Sequence, residues 1–112
     1  MREPVRDPIR IQHILESSSN ILKFMENKTV DDLQNDKLLF YGVVKNIEII
    51  GEAAYKLTNE FKEKHSHIPW KQIIVMRHIL VHDYYRIKPD ELFEVYKKDI
   101  PELIDNISKI TL

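Results

Sequence analysis

The stretch Trp70–Tyr85, WKQIIVMRHILVHDYY, gathers a fixed cation, two imidazoles, a carboxylate and two phenols: Arg77, His78, His82, Asp83, Tyr84 and Tyr85. A histidine gives or takes a proton near neutral pH. An arginine grips two phosphate oxygens and stabilises the charge that builds on them. Together His82 and Arg77 could assist a 2′-hydroxyl in attacking a neighbouring phosphate without a metal. Their spacing sets a geometric condition. On a regular helix five residues turn the chain by about 500°, so the two side chains leave it roughly 140° apart. Either the helix unwinds before His82, or two copies of the chain pool their residues across a two-fold axis.

Plainer readings stand beside this one. An arginine near a helix C-terminus is favoured by the helix dipole. His82 could cap the last carbonyls, and Tyr84 and Tyr85 could be half-buried aromatics with wet hydroxyls. His78 and His82 also stand at i, i+4, the spacing of a two-histidine metal grip, with Asp83 or Glu52 as a third ligand. No HExxH pattern accompanies them, and His65-x-His67 lies in a separate connector, so no metal or other cofactor is assigned.

The elements that must hold this stretch are helical. Ile73, Met76 and Leu80 recur at i, i+3 and i+7 within it, and Pro69 opens that helix. Upstream, Asp7-Pro8 reads as a helix start, with Asp7 free to cap backbone amides. Ile11, Ile14, Ser18, Leu22 and Met25 then share a face to an end near Asn27-Lys28, and Ser17–Ser19 suggest close packing. Thr29 to Asp32 resembles a capping box opening a short helical turn. Leu39, Val43, Ile47, Ile50, Ala54, Leu57 and Phe61 form one stripe, predicting an uninterrupted central helix from about Asp36 to about Lys64. Gly42 and Gly51 sit inside it, where each costs roughly 1 kcal/mol against alanine; close approach of another backbone is the expected reason. Arg86-Ile87-Lys88 is a short link, and Pro89-Asp90-Glu91 starts a further helix. Phe93, Tyr96, Ile100, Leu103, Ile107 and Ile110 continue one stripe through Pro101, where a kink or division is expected. The fold class is all-α: a bundle of four main helices plus a short C-terminal helix after the proline kink.

Composition bounds the rest. The 112 residues suit a single domain, residues 1–112, with 1–6 as a loose N-terminal arm. Lys and Arg number 17 against 18 Asp and Glu, so any nucleic-acid partner must be met by a local patch; Lys71, Arg77, Arg86 and Lys88 offer a weak one. There is no cysteine, which excludes disulfide and thiol chemistry and makes a reducing cytoplasm the expected compartment. The N-terminus has no apolar signal-like region, and no run has the length of a membrane span. Two glycines in the whole chain argue against phosphate loops and dinucleotide folds.

Four elements carry a family resemblance: Ile50-Gly51-Glu52-Ala53, Ile68-Pro69-Trp70, Arg77-x4-His82-x-Tyr84 and Ile100-Pro101-Glu102-Leu103. In order and separation, over roughly Asp7 to Leu103, they resemble the HepT family of small HEPN-domain toxins. The resemblance implies a HEPN-type up-and-down helical bundle, a homodimer and a metal-independent endoribonuclease, the toxin of a type II toxin–antitoxin system. It implies that Arg77 and His82 cleave RNA at the dimer interface. It implies a cognate minimal nucleotidyltransferase antitoxin that silences the toxin by placing AMP on Tyr84. Glu52, His78 and Asp83 are expected to support the site, Glu52 by holding Arg77. Two departures stand out: His78 where asparagine is commonest, and Val75 where a small residue is common, the latter bearing on how closely two copies pack. A different class remains open, a non-catalytic helical module assisting a nucleotidyltransferase. RNA cleavage by the purified chain separates the two.

Overall fold

The computed structural model describes residues 6–110, with the backbone alone for Tyr84. The expected loose arm, residues 1–6, lies outside them except for Arg6. In chain order the helices are α1 (Asp7–Phe24), α2 (Val30–Asn35), α3 (Lys37–Lys56), α4 (Asn59–Lys64), α5 (Trp70–His82), α6 (Pro89–Glu94) and α7 (Ile100–Ser108). A 3₁₀ turn, Tyr84–Arg86, follows α5, and a π-helical turn, Val95–Asp99, joins α6 to α7. No strand occurs among the described residues, so the all-α bundle expected from the periodicity is the fold.

The central helix is α3. It packs against α1 on one side and α5 on the other, while α7 lies on α1 and α2 bridges α3 and α6. Val43, Val44, Ile47, Ile50, Ala53 and Ala54 are buried along it, an apolar face wide enough for two neighbours. Asp36 caps its N-terminus by accepting a hydrogen bond from the Leu39 amide at 3.1 Å. The Thr29 capping box also forms: the Asp32 amide donates to Thr29 Oγ1 at 3.3 Å and the Thr29 amide to Asp32 Oδ2 at 2.8 Å. The Thr29 amide, and the Thr29 hydroxyl that also donates to Asp32 Oδ2 at 3.1 Å, hold the Asp32 carboxyl below its ordinary range.

Four expectations need correction. The central helix is not continuous to Lys64: Leu57 and Thr58 are extended, with ψ of 147° and 152°, and Thr58 caps a separate α4. The cause is Asp7, which does not cap its own helix; Arg6 holds that position. The Asp7 carboxylate, 6% exposed, accepts the Thr58 amide at 3.0 Å and the Thr58 hydroxyl at 2.8 Å. A tertiary bond to a charged acceptor outweighs one turn of helix propensity. Second, Ile21 rather than Leu22 fills the α1 core face, and α1 stops at Phe24, with Asn27 in the left-handed region at φ 60°. Third, Gly42 meets no backbone: an added Cβ there would find the Phe24 ring at an ordinary 3.5 Å.

The fourth concerns the C-terminal stripe. Leu92, Val95, Ile100, Leu103 and Ile107 are buried, whereas Phe93 and Tyr96 are only partly so. The expected break at Pro101 takes the form of a π turn, in which the Ile100 amide donates to the Val95 carbonyl five residues back. The extra residue shifts the apolar phase by one position, which is why Val95 and Ile100 stand five apart on the core face. Ser17 and Ser18 are buried as expected, and Ser19 is exposed.

Candidate active-site helix and its family

Helix α5 carries most of the chemistry-bearing residues. Its start is fixed by Trp70, buried, whose indole N–H donates to the His65 carbonyl at 3.0 Å. Pro69 is the N-cap rather than the first helical residue. Ile73 and Arg77 meet Gly51 of α3 and share a three-four-three stripe with the buried Trp70 and Leu80, so the stem of Arg77 stands within the packed stripe rather than apart from it. Gly51 on α3 makes this possible. A Cβ added there would clash with the Arg77 Cβ and lie 3.2 Å from the Ile73 carbonyl oxygen. The close approach expected at Gly51 is thus the contact between the two helices that hold the site.

Beyond its stem, Arg77 is 32% exposed and reaches Glu52 Oε2 at 3.5 Å. Glu52 also receives Lys56 at 3.2 Å, one turn along α3. Lys56 first, then Arg77, hold the Glu52 carboxyl below its ordinary range. The Nε of Arg77 is buried and has no protein hydrogen-bond partner among the described residues. An arginine held by its stem, with the outer part of its guanidinium partly exposed, suits the binding of an anion.

Helix α5 is regular through His82, and the Asp83 amide closes its last turn on the Ile79 carbonyl at 2.7 Å. Arg77 and His82 therefore diverge by roughly 140° about the axis, and the chain does not unwind to bring them together. His82 instead keeps company with His78: the rings are 4.4 Å apart at 50°, and both residues are exposed. Among the described residues no group of three His, Cys, Asp or Glu side chains converges as a metal site, so Asp83 and Glu52 do not complete that pair. Asp83 is half-buried at the helix end. Tyr84 opens the 3₁₀ turn beyond it; its side chain lies outside the described residues. Tyr85 is 72% exposed. Arg86 and Lys88 are exposed beyond this end of α5, and Lys71 is exposed at its opposite end.

One feature had no sequence signal: a cleft of ≈ 440 Å³ bounded by α3, α5 and the π turn, floored by Ile47, Ile50, Ile73, Met76, Ile100 and Leu103. Asp99 stands at its edge, its carboxyl held above the ordinary range by burial and by Glu102 and Glu94 against the opposing pull of Lys98. No periodicity predicts a gap between two stripes. The cleft includes none of Arg77, His78 and His82.

Known proteins match this chain closely. It is 46% identical over 110 residues to a Methanocaldococcus jannaschii protein whose name joins a gamma-glutamylcyclotransferase to an RNase assigned provisionally; the match covers 98% of this chain and 49% of that one. A Caldanaerobacter subterraneus protein, named provisionally as an RNase, is 36% identical over 100 residues, 89% of each chain. A Thermococcus cleftensis protein named "Probable ribonuclease HepT" is 33% identical over 100 residues, 89% of this chain and 91% of that one. This chain thus spans about half the length of the first relative and most of the other two. No solved structure matches it. The family described as Ribonuclease HepT-like matches residues 14–110, α5 and its supports included, and the chain belongs to that family.

Proposed function

We propose that the chain is a ribonuclease that cleaves RNA without metal, with Arg77 binding and stabilising the scissile phosphate and His82 moving the proton. The observation that carries this reading is the pairing of family membership with the state of Arg77: stem fixed against Gly51, Glu52 on one side, the side chain 32% exposed. The 2′-hydroxyl attacks the adjacent phosphorus, the 5′-oxygen leaves, and a 2′,3′-cyclic phosphate remains. His82 relays the proton, and the guanidinium meets the charge that develops on the phosphate oxygens.

The divergence of the two side chains supports a site shared between two copies, Arg77 of one facing His82 of the other. Among the described residues helix α5 packs chiefly on α3 and leaves Val75 47% and Val81 40% exposed, apolar surface that a second copy would cover. In this reading the protein is the toxin of a toxin–antitoxin pair in the cytoplasm, and a nucleotidyltransferase antitoxin adds AMP to Tyr84, two residues from the base. The added phosphodiester and adenosine would repel and block an incoming RNA phosphate.

Cleavage of RNA by the purified chain in EDTA tests the proposal. Wild type should leave cyclic phosphate ends, and Arg77→Ala and His82→Ala should each lose at least a hundredfold in rate. Arg77→Ala retains the Cβ that packs on Gly51, so circular dichroism should be unchanged. Full activity in either variant overturns the assignment, and no cleavage by wild type leaves the accessory-module reading. With the cognate transferase, ATP and magnesium, mass spectrometry should place AMP on Tyr84; a label on Tyr85 contradicts the silencing step.

A further inference from the structure

Four histidines stand in two pairs, and the pairs differ. His65 is half-buried, its ring 4.6 Å from Phe61, and its carbonyl is taken by Trp70. Its partner His67 lies 6.2 Å away, ring to ring. Burial, with Lys64 and His67 nearby, holds the His65 imidazole below its ordinary range. His78 and His82 have none of these commitments. They lie one turn apart on a regular helix, both exposed, with ring centroids 4.4 Å apart, and neither makes a hydrogen bond or ion pair among the described residues.

Two imidazoles on one tetrahedral cation, bound at about 2.0–2.1 Å, place their ring centroids about 5 Å apart. The observed separation lies within 1 Å of that, and exposed side chains have the freedom to make the adjustment. The backbone does not need to move, because the helix already sets the i, i+4 step. Imidazole nitrogen is a ligand that zinc, nickel and copper favour and that magnesium and calcium do not.

We propose that His78 and His82 form a two-imidazole clip for a divalent transition cation of the zinc type, with solvent completing its coordination. Occupancy withdraws the His82 nitrogen that proton transfer requires, so the cation restrains cleavage and has no part in the chemistry. The regulatory half of this inference rests on the assignment of His82 as the proton carrier; the clip itself does not. His78 is the discriminating residue. An asparagine at this place would offer an amide where imidazole would bind.

Zinc chloride titrated calorimetrically into chelator-treated protein is the test. Wild type should bind saturably, and both His78→Asn and His82→Ala should lose that binding with circular dichroism unchanged. His67→Asn, in the other pair, should bind as wild type does. Binding that survives either substitution in α5, or that vanishes with His67→Asn, overturns the clip. At free zinc ten times the measured dissociation constant, wild-type RNA cleavage should fall roughly tenfold and return with EDTA, since the free fraction falls as 1 + [Zn]/Kd. An unchanged or faster rate overturns the restraint. A chain that binds zinc through both histidines yet cleaves no RNA upholds the clip and overturns the reading of function.

Discussion

Helices α1 and α5 flank the same partner, α3, and treat it differently. α1 gives up a full face: Ile11, Ile14, Ser17, Ser18 and Ile21 are buried, and Asn20 reaches Asn46 of α3 at 3.2 Å. Its first residue is tied across the bundle to Thr58. In α5 only Trp70 and Leu80 are buried, and the packed stripe between them includes a charged residue. A helix held at its ends and loaded with exposed imidazoles and a half-exposed guanidinium spends less of its surface on stability. The contrast separates scaffold from site: substitutions in α1 should be read as losses of fold, and substitutions around α5 as losses of geometry.

The largest expected effect lies on the scaffold side. Asp7→Ala leaves the buried Thr58 amide and hydroxyl without their acceptor, at a cost of about 2–3 kcal/mol. Thermal unfolding should shift down by roughly 10 °C or more for a domain of this size. RNA cleavage measured well below the new midpoint should persist; its loss there would blur the division between the two helices.

Gly51→Ala probes the other side. Its Cβ would push α5 away, an overpacking cost of about 1–3 kcal/mol, part of it offset by about 1 kcal/mol of helix propensity. The thermal midpoint should fall by only a few degrees. Cleavage should fall far more, by about a hundredfold, because a shift of about 1 Å at a reacting group has that effect. Equal damage to stability and rate would place Gly51 with the scaffold.

The smallest effect concerns the cleft edge. Burial and neighbouring acids raise the Asp99 carboxyl above its ordinary range. A folded-state value above the unfolded one means that ionisation opposes folding. That opposition is complete above the folded pKa and disappears as pH falls below the unfolded value, about 3.9. Asp99→Asn should therefore be slightly more stable than wild type near neutral pH and equal to it at about pH 3. A stability gain that persists in acid would show that the carboxylate's charge is not the cause.

Much of this was legible in the sequence. Apolar spacing located the helices, the Thr29–Asp32 pattern predicted its capping box, and mid-helix Gly51 predicted a close helix contact. What escaped depends on residues far apart in the chain. The central stripe runs through Leu57 without a break in phase, so the apolar pattern does not announce the interruption, and the local signal, Thr58 as an N-cap, is outweighed by that stripe. Pro101 announces a break but not its form, because a π turn shifts the apolar phase by one residue without leaving a gap. In α5, counting apolar positions places Arg77 off the stripe; the structure puts its stem on it, because the aliphatic part of an arginine packs as a hydrocarbon. The motif residues were visible by type, but the relation between Arg77 and His82 required knowing that the helix stays regular through His82.

The Asp7–Thr58 bond also bears on the order of events during folding. Its partners stand 51 positions apart. Closing a loop of that length costs about 3.5 kcal/mol in chain entropy beyond a constant term, whereas a helical turn forms between near neighbours. Until α1 docks, only the local cap from Thr58 to the Phe61 amide marks the break between α3 and α4. The bond that locks the break at Leu57 and Thr58 thus waits on the docking of the N-terminal segment.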